Sequence, residues 1–227
     1  MPAPVSIIIP TLNAASDLPL CLDALMPGLE AGLIRELIVS DGGSEDATPA
    51  IAEGSGAAFI RGEKGRAKQL IAGAEIARGD WLFFLHADTA LSRDWPERVL
   101  DHLSERPDKA AVLTLAYRSD HPMAKRIAAR ANRRARWLGL PYGDQGLLLP
   151  RALYDEVGGY EDLPLMEDVR IVQKIGKSRI SILSAEARTS AAKYERDGWR
   201  KRSWHNAMLI SRYLLGASPQ KLAAKYR

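Results

Sequence analysis

Cysteine is almost missing from this sequence. The one thiol, Cys21, cannot form a disulfide within the chain, and it cannot build a cysteine zinc site. It lies in the apolar stretch 18–29, so it reads as a small core residue rather than a reactive thiol. Long apolar runs are missing too. No stretch approaches the roughly 20 apolar residues that cross a bilayer. The N-terminal Met1-Pro-Ala-Pro-Val-Ser-Ile-Ile-Ile-Pro10 has no basic segment, and its apolar run is too short for a signal peptide. These absences predict a cytoplasmic protein. There is no large excess of charge of one sign: 32 Lys and Arg against 28 Asp and Glu leave +4, so any basic partner site must be a local cluster. No nucleic-acid reading module accompanies the basic residues, so no nucleic-acid partner is expected. No G-x-G-x-x-G follows the first apolar run, which disfavours a dinucleotide dehydrogenase, and a P-loop is absent.

What is present is an ordinary globular composition, 46% hydrophobic and 26% charged over 227 residues. That length suits one domain with a full core. Apolar runs at 5–9, 36–40, 57–60 and 81–85 read as strands. Between them, 16–29, 46–53 and 65–77 read as helices, with Ser16 or Asp17 and Asp46 as caps. This alternation predicts a mostly parallel sheet covered on both faces. The second half is less regular. Segments 111–117, 146–149 and 180–183 read as strands, and 122–138, 151–157, 167–175 and 198–215 as helices. Gly216 closes the last of these, and Ser218-Pro219 starts a final one. The whole chain, 1–227, is expected to be one domain. Residues up to about 90 would form a nucleotide-binding half, and those from about 91 an acceptor half with C-terminal helices.

Three polar clusters follow predicted strands: Pro10-Thr11-Leu12-Asn13, Asp41-Gly42-Gly43-Ser44 and His86-Ala87-Asp88-Thr89. In open α/β sheets ligands bind beyond the carboxyl ends of the strands, so parallel strands would bring all three to one edge. Each cluster alone is equally readable as a turn, a cap or a strand end. Asp88 closes the most hydrophobic strand. A hard cation such as Mg²⁺ or Mn²⁺ wants oxygen ligands and takes substrate phosphates and waters as the others. Downstream, Glu167 and Asp168 are adjacent acids at a helix start. They read either as a charge that complements the helix N-terminus, or as a general base for a hydroxyl.

In this order the motifs Ile-Ile-Pro-Thr-Leu-Asn, Val-Ser-Asp-Gly-Gly-Ser, Phe-Phe-Leu-His-Ala-Asp, Gly-Gly-Tyr and Met-Glu-Asp resemble family 2 glycosyltransferases of the GT-A fold, over about residues 5–169. His86-Ala-Asp-Thr, Tyr142-Gly-Asp-Gln-Gly and Leu163-Pro-Leu-Met-Glu-Asp-Val are similar to a small bacterial subgroup, the radical-SAM/selenodomain-associated transferases. The resemblance implies an α/β GT-A fold, with a single Rossmann-like, mostly parallel sheet flanked by helices. It implies inverting, metal-dependent transfer from a nucleotide-diphosphate sugar, a UDP-sugar above all, to an unidentified acceptor. Pro10, Thr11, Asn13, Asp41, Gly43 and Ala87 would hold the nucleotide. Arg66, Lys68 and Gln69 would meet its phosphates or polar groups. Asp88 would be the metal-binding acid of a DxD-type motif, and Asp168 the catalytic base supported by Glu167. Asp144 and Gln145 would line the sugar or acceptor pocket. Three departures stand out. His86 replaces the first acid of DxD, Ala14 replaces a glutamate, and Ile71 replaces an asparagine. They motivate a rival reading, a non-catalytic nucleotide-binding or membrane-surface partner that kept the fold.

Residues 122–138 form an amphipathic pattern. Arg126, Arg130, Arg133 and Trp137 share one face, while Met123, Ile127, Ala131 and Leu138 share another. The basic face reads as solvated, or as contact with anionic headgroups or a lipid-linked acceptor at the inner membrane. Trp199-Arg-Lys-Arg-Ser-Trp204 adds a second basic, aromatic cluster. His205 reads as a packed or surface histidine, or else as an additional metal ligand.

Overall fold

The computed structural model describes residues 3–224. Met1 and Pro2, part of the N-terminal stretch tested above for a leader, and residues 225–227 lie outside the described residues. One sheet of eight strands runs through the molecule in the order β3-β2-β1-β4-β7-β6-β8-β5. The strands are β1 (Val5–Thr11), β2 (Ile34–Asp41), β3 (Ala58–Arg61), β4 (Trp81–Phe84), β5 (Thr89–Leu91), β6 (Ala110–Tyr117), β7 (Leu147–Pro150) and β8 (Ile180–Thr189). The helices are α1 (Leu18–Asp23), α2 (Met26–Glu30), α3 (Thr48–Gly54), α4 (Arg66–Ile76), α5 (Trp95–Glu105), α6 (Pro122–Leu138), α7 (Arg151–Glu156), α8 (Glu167–Ile175), α9 (Ala192–Asp197), α10 (Trp199–Leu214) and α11 (Pro219–Ala223).

Strands β1 to β4 are mutually parallel where they pair, as the alternating first half predicts. β7 then pairs antiparallel with β4 and β6, β6 runs parallel to β8, and β5 closes the far edge antiparallel to β8. Successive strand residues point to opposite faces, so each strand feeds two cores. Trp81, Phe83 and Leu85 join Ile7, Ile9, Leu18 and Trp95 on one side. Leu82 and Phe84 join Ile8, Leu70, Leu149 and Ile171 on the other. Gly73 lets α4 lie directly on β1, because a Cβ there would sit 2.4 Å from Ile8 Cγ2.

Several boundaries differ from the sequence reading, each for a local reason. The helix expected over 16–29 is two short ones. Pro27 has no N–H and crowds the preceding turn, so α2 restarts with Pro27 near its N-terminus. Asp17 stands at the N-cap of α1 as expected, but its side chain makes no capping hydrogen bond, because Arg118 binds the carboxylate at 2.6 Å. The helix after Asp46 begins at Thr48, whose N–H donates to Asp46 Oδ1 at 3.0 Å from two residues away. β8 runs six residues past Leu183. There Ala185 and Ala187 are buried while charged Glu186 and Arg188 alternate with them, a period-2 pattern with little apolar mass. β5, α5 and α9 are elements that the sequence reading left unassigned. Gly216, at φ +92°, and Ser218, whose hydroxyl accepts from Lys221 N, end α10 and start α11 as expected.

Candidate active site

The carboxyl ends of β1, β2 and β4 meet at one edge of the sheet, and their loops are stitched together. Asp41 is fully buried and accepts four hydrogen bonds. The hydroxyls of Thr11 and Ser44 donate to Oδ1, and the N–H groups of Gly43 and Ser44 donate to Oδ2 at 2.9 and 2.7 Å. Burial pushes the Asp41 carboxyl up, but these donors, led by Ser44, outweigh it and hold the group below its ordinary range. Asn13, at φ +51°, accepts from Glu45 N at 2.9 Å, and its own N–H donates to Ser44 Oγ at 2.8 Å. Gln69 is buried and donates from Nε2 to the Thr11 and Ser40 carbonyls. Thr11, Asp41, Gln69 and Ala87 are therefore scaffold beneath this edge, whereas Pro10, Asn13, Gly43, Arg66 and Lys68 keep exposed surface. Lys68 is paired with Glu63.

Beside this edge lies a cavity of about 190 Å³. Arg66, His86, Asp88, Asp144 and Asp168 all line it, so four separate sequence segments converge there. The Asp88 carboxylate has only long contacts, from Thr89 Oγ1 at 3.4 Å and Thr189 Oγ1 at 3.3 Å. Its backbone carbonyl is better held, by Ser190 N and by Arg118 Nη2, both at 3.1 Å. Burial pushes the His86 imidazole down to about 4, with the Arg66 charge adding to this and the Asp88 and Asp168 charges opposing it. The ring is therefore neutral at ordinary pH. Cys21 packs below, its thiol donating to the His86 carbonyl at 3.6 Å. Burial, with Asp88 assisting, pushes that thiol up to about 12, as an inert core cysteine requires.

Asp168 is the second residue of α8, and both its oxygens have backbone donors: Gly143 N at 2.9 Å and Val169 N at 2.8 Å. Met166, just before α8, has φ +69°. A left-handed conformation in a residue with a side chain costs on the order of 1–3 kcal/mol and persists only where surrounding packing dictates it. Here Met166 is wedged against Val169, Leu209 and Leu222. Glu167 does not face the cavity. Its side chain is 2% exposed and paired with Arg66, and burial nevertheless raises its carboxyl above the ordinary range, the Arg66 charge opposing that and Asp168 adding to it.

Asp144 differs from Asp168 in support. Its Oδ1 is buried with no hydrogen-bond partner. Burial pushes the carboxyl up to about 6, with Arg134 opposing and Asp168 and Asp88 adding to the rise. Gly143 permits the close approach here, since a Cβ on it would lie 2.7 Å from His86 Nε2 and 3.4 Å from Asp168 Oδ2. Gln145 lies behind the cavity instead of in its wall. It is fully buried and donates to the Leu113 carbonyl at 2.9 Å, which the tight turn between Gly143 and Gly146 enforces. His205 sits on α10 outside the residues that line the cavity, because the helix turns Arg202, Asn206, Leu209 and Ile210 toward it instead. Among the described residues, no group of three His, Cys, Asp or Glu side chains is arranged to hold a metal. The sequence reading gave no site role to several other polar residues of the wall: Tyr117, Tyr142, Thr189, Lys193, Tyr194, Arg202 and Asn206. Apart from Tyr142, which opens the Tyr142-Gly-Asp-Gln-Gly motif, no local motif marks these residues. They arrive through the ends of β6 and β8, through the loop before β7, through α9 and through one face of α10.

Residues 6–160 match the model of the family described as Glycosyl transferase family 2. The chain belongs to that family. This glycosyl transferase family 2 chain is 40% identical over 99 residues to the "PGL/p-HBAD biosynthesis glycosyltransferase" proteins of Mycobacterium tuberculosis (strain ATCC 25177 / H37Ra) and Mycobacterium bovis (strain BCG / Pasteur 1173P2). The match covers 40% of this chain and 38% of theirs, so the chain spans well under half the length of those relatives. Among solved structures, the fold matches S. aureus TarS 1-349 in complex with UDP-GlcNAc, with a TM-score of 0.63 and 17% identity over 82% of this chain and 58% of that one. It also matches glucosyl-3-phosphoglycerate synthase from Mycobacterium tuberculosis in complex with Mn²⁺ and UDP-glucose, with a TM-score of 0.60 and 20% identity over 82% and 70%. At these identities the two structures establish the fold, an α/β GT-A sheet flanked by helices. No described helix is long and apolar enough to cross a membrane.

Proposed function

We propose that this protein transfers a sugar from a UDP-sugar to an acceptor hydroxyl, with inversion and with help from Mg²⁺ or Mn²⁺. The observation that carries the reading is the meeting of Asp88, Asp144 and Asp168 with Arg66 and His86 around one cavity, beyond the carboxyl ends of parallel strands. UDP as the nucleotide rests on the two solved structures that carry UDP-sugars. The loops of Pro10, Thr11, Asn13, Asp41 and Gly43 form the ledge for the nucleoside, with Asp41 shaping the loop rather than touching the base. Arg66 reaches the diphosphate from the start of α4, where backbone N–H groups also favour an anion. Lys68 and Gln69 complete that side, Lys68 as a charge and Gln69 as the brace between β1 and β2.

The donor set fits a divalent metal held only in part by protein. Asp88 offers a hard carboxylate whose present contacts are long, and neutral His86 offers a ring nitrogen. A bound metal would stabilise charge on the leaving diphosphate. Asp168 accepts the proton of the attacking hydroxyl as the new bond forms at the anomeric carbon and the bond to UDP breaks. Glu167 fixes Arg66, so Asp168 and Arg66 are set by one short segment. Asp144 turns its unpartnered oxygen to a sugar or acceptor hydroxyl. The acceptor is lipid-linked, and the basic face of Arg126, Arg130 and Arg133, with Trp137, brings the enzyme to the membrane that carries it.

Incubating the protein with a panel of nucleotide sugars and Mn²⁺ tests this. Slow hydrolysis of a UDP-sugar is expected, reduced at least a hundredfold by Asp88→Ala and Asp168→Asn, in keeping with a general base worth roughly 10²–10⁴. If no donor binds or turns over, the non-catalytic reading replaces this one.

A further inference from the structure

Helices α6 and α10 carry ten of the chain's 32 Lys and Arg residues and none of its 28 acids. Arg202 and Arg134 are engaged: Arg202 pairs with Asp197, and Arg134 lies over the Tyr142 ring, 3.3 Å from its centroid. The side chains of Lys125, Arg126, Arg130, Arg133, Arg136, Arg200 and Lys201 make no hydrogen bond or ion pair among the described residues. Several arginines elsewhere are ion-paired, as in Arg78–Glu36, Arg118–Asp17 and Arg179–Glu156.

The N-terminal ends of the two helices are locked together. The His121 and Trp199 rings stack with centroids 5.0 Å apart. Between them opens a groove of about 580 Å³, whose wall carries Arg126, Arg200 and Lys201. Along α10 and onto its C-cap, Trp204, Met208 and Leu215 follow at i, i+4 and i+11, so they share one face. They are 74%, 39% and 88% exposed. The opposite face of the same helix, through Arg202, Asn206, Leu209 and Ile210, lines the catalytic cavity. An exposed aromatic and aliphatic stripe between unpaired cations is the chemistry of an anionic bilayer surface.

We propose that α10 docks on an anionic bilayer, its Trp204–Met208–Leu215 stripe entering the headgroup layer while the Arg126–Arg200–Lys201 groove takes a lipid phosphate. This rests on the membrane-contact reading above and names its contact. One helix, roughly 10–12 Å across, then separates the lipid surface from the cavity. A bilayer-borne acceptor reaches the cavity around that single helix.

Co-sedimentation of the full chain with phosphatidylcholine vesicles, with and without phosphatidylglycerol, tests it. Binding is expected only with phosphatidylglycerol. Each basic residue near such a surface contributes about fivefold, so Arg200→Gln/Lys201→Gln should weaken binding on the order of 25-fold. Trp204→Ser/Leu215→Ser should weaken it by roughly tenfold or more. UDP-sugar hydrolysis without vesicles should be unchanged in both, which also shows that they fold. If the wild type binds and only Arg130→Gln/Arg133→Gln loses binding, the membrane reading stands and this contact is wrong. If the wild type ignores phosphatidylglycerol vesicles, both fail. Equal binding to neutral vesicles overturns the phosphate groove.

Discussion

Removing Arg66 should expose how the site holds its charges. Glu167 is the first residue of α8, its side chain is 2% exposed, and its ion pair is with Arg66 from the start of α4, 101 residues away. Arg66 itself is 40% exposed at the side chain. Stripping one partner from a fully buried pair costs about 3–5 kcal/mol, while fully exposed pairs contribute about 0.2–1 kcal/mol. One buried and one solvated partner place Arg66→Ala between these, at about 2 kcal/mol. For a chain of this size that is a fall in melting temperature of roughly 4–8 °C. The pH dependence follows from the direction of the Glu167 shift. Its carboxyl is already raised in the folded state, and without Arg66 it rises further. A raised folded-state pKa contributes stability below the unfolded value of about 4.3, and that contribution is lost as pH rises through the folded value. The deficit of Arg66→Ala should therefore be small near pH 4 and widen toward neutrality. Thermal melts in steps from pH 4 to 8 read this directly. Arg66→Ala/Glu167→Gln should recover most of the loss, because the neutral amide needs no cation. A deficit that is flat with pH, or a double variant no better than the single, refutes the reasoning.

Asp144→Asn should stabilise the ligand-free protein increasingly as pH rises from about 3.8 through about 6, the window of the Asp144 shift, because the wild-type carboxyl ionises there against its burial; melts of the two proteins should diverge across that window. Gly143→Ala should lower turnover at least tenfold while costing only about 1–2 kcal/mol, since a Cβ 2.7 Å from His86 Nε2 displaces the site more than the core; a kinetic series beside urea melts separates the two. Cys21, 1% exposed and with its thiol pushed up to about 12, should resist a thiol reagent in the native protein and react stoichiometrically in denaturant.

The first half of the fold was legible because its signals are local. A short apolar run, a polar turn and a helix repeat three times, and parallel pairing of β1, β2 and β4 does the rest. Legibility fails where structure depends on distant packing. The second half of β8 buries only Ala185, Ala187 and Thr189, so its alternation carries too little apolar mass to be recognised without β6 beside it. Asp17 takes the N-cap position of α1, but its carboxylate pairs with Arg118, 101 residues on. Met166 gives no sign in sequence of its left-handed backbone, which Leu209 and Leu222 dictate from the C-terminal helices. The cavity wall from Tyr194 to Ile210 is equally silent, because its residues share a cavity rather than a motif.

The same contrast separates the two carboxylates that the sequence placed near the sugar. Asp168 has a donor for each oxygen from its own backbone surroundings, so its position survives without substrate. Asp144 keeps one oxygen buried and unpartnered, and a buried acceptor left unsatisfied costs roughly 1–3 kcal/mol. A substrate hydroxyl that donates to it recovers that cost only when correctly placed. A deoxy analogue lacking that hydroxyl leaves the acceptor bare again. Asp168 thus suits chemistry common to any acceptor hydroxyl, whereas Asp144 suits selection among sugars. Loss of discrimination between a sugar and its deoxy analogue in Asp144→Asn, with Asp168 intact, is the result this division of labour requires.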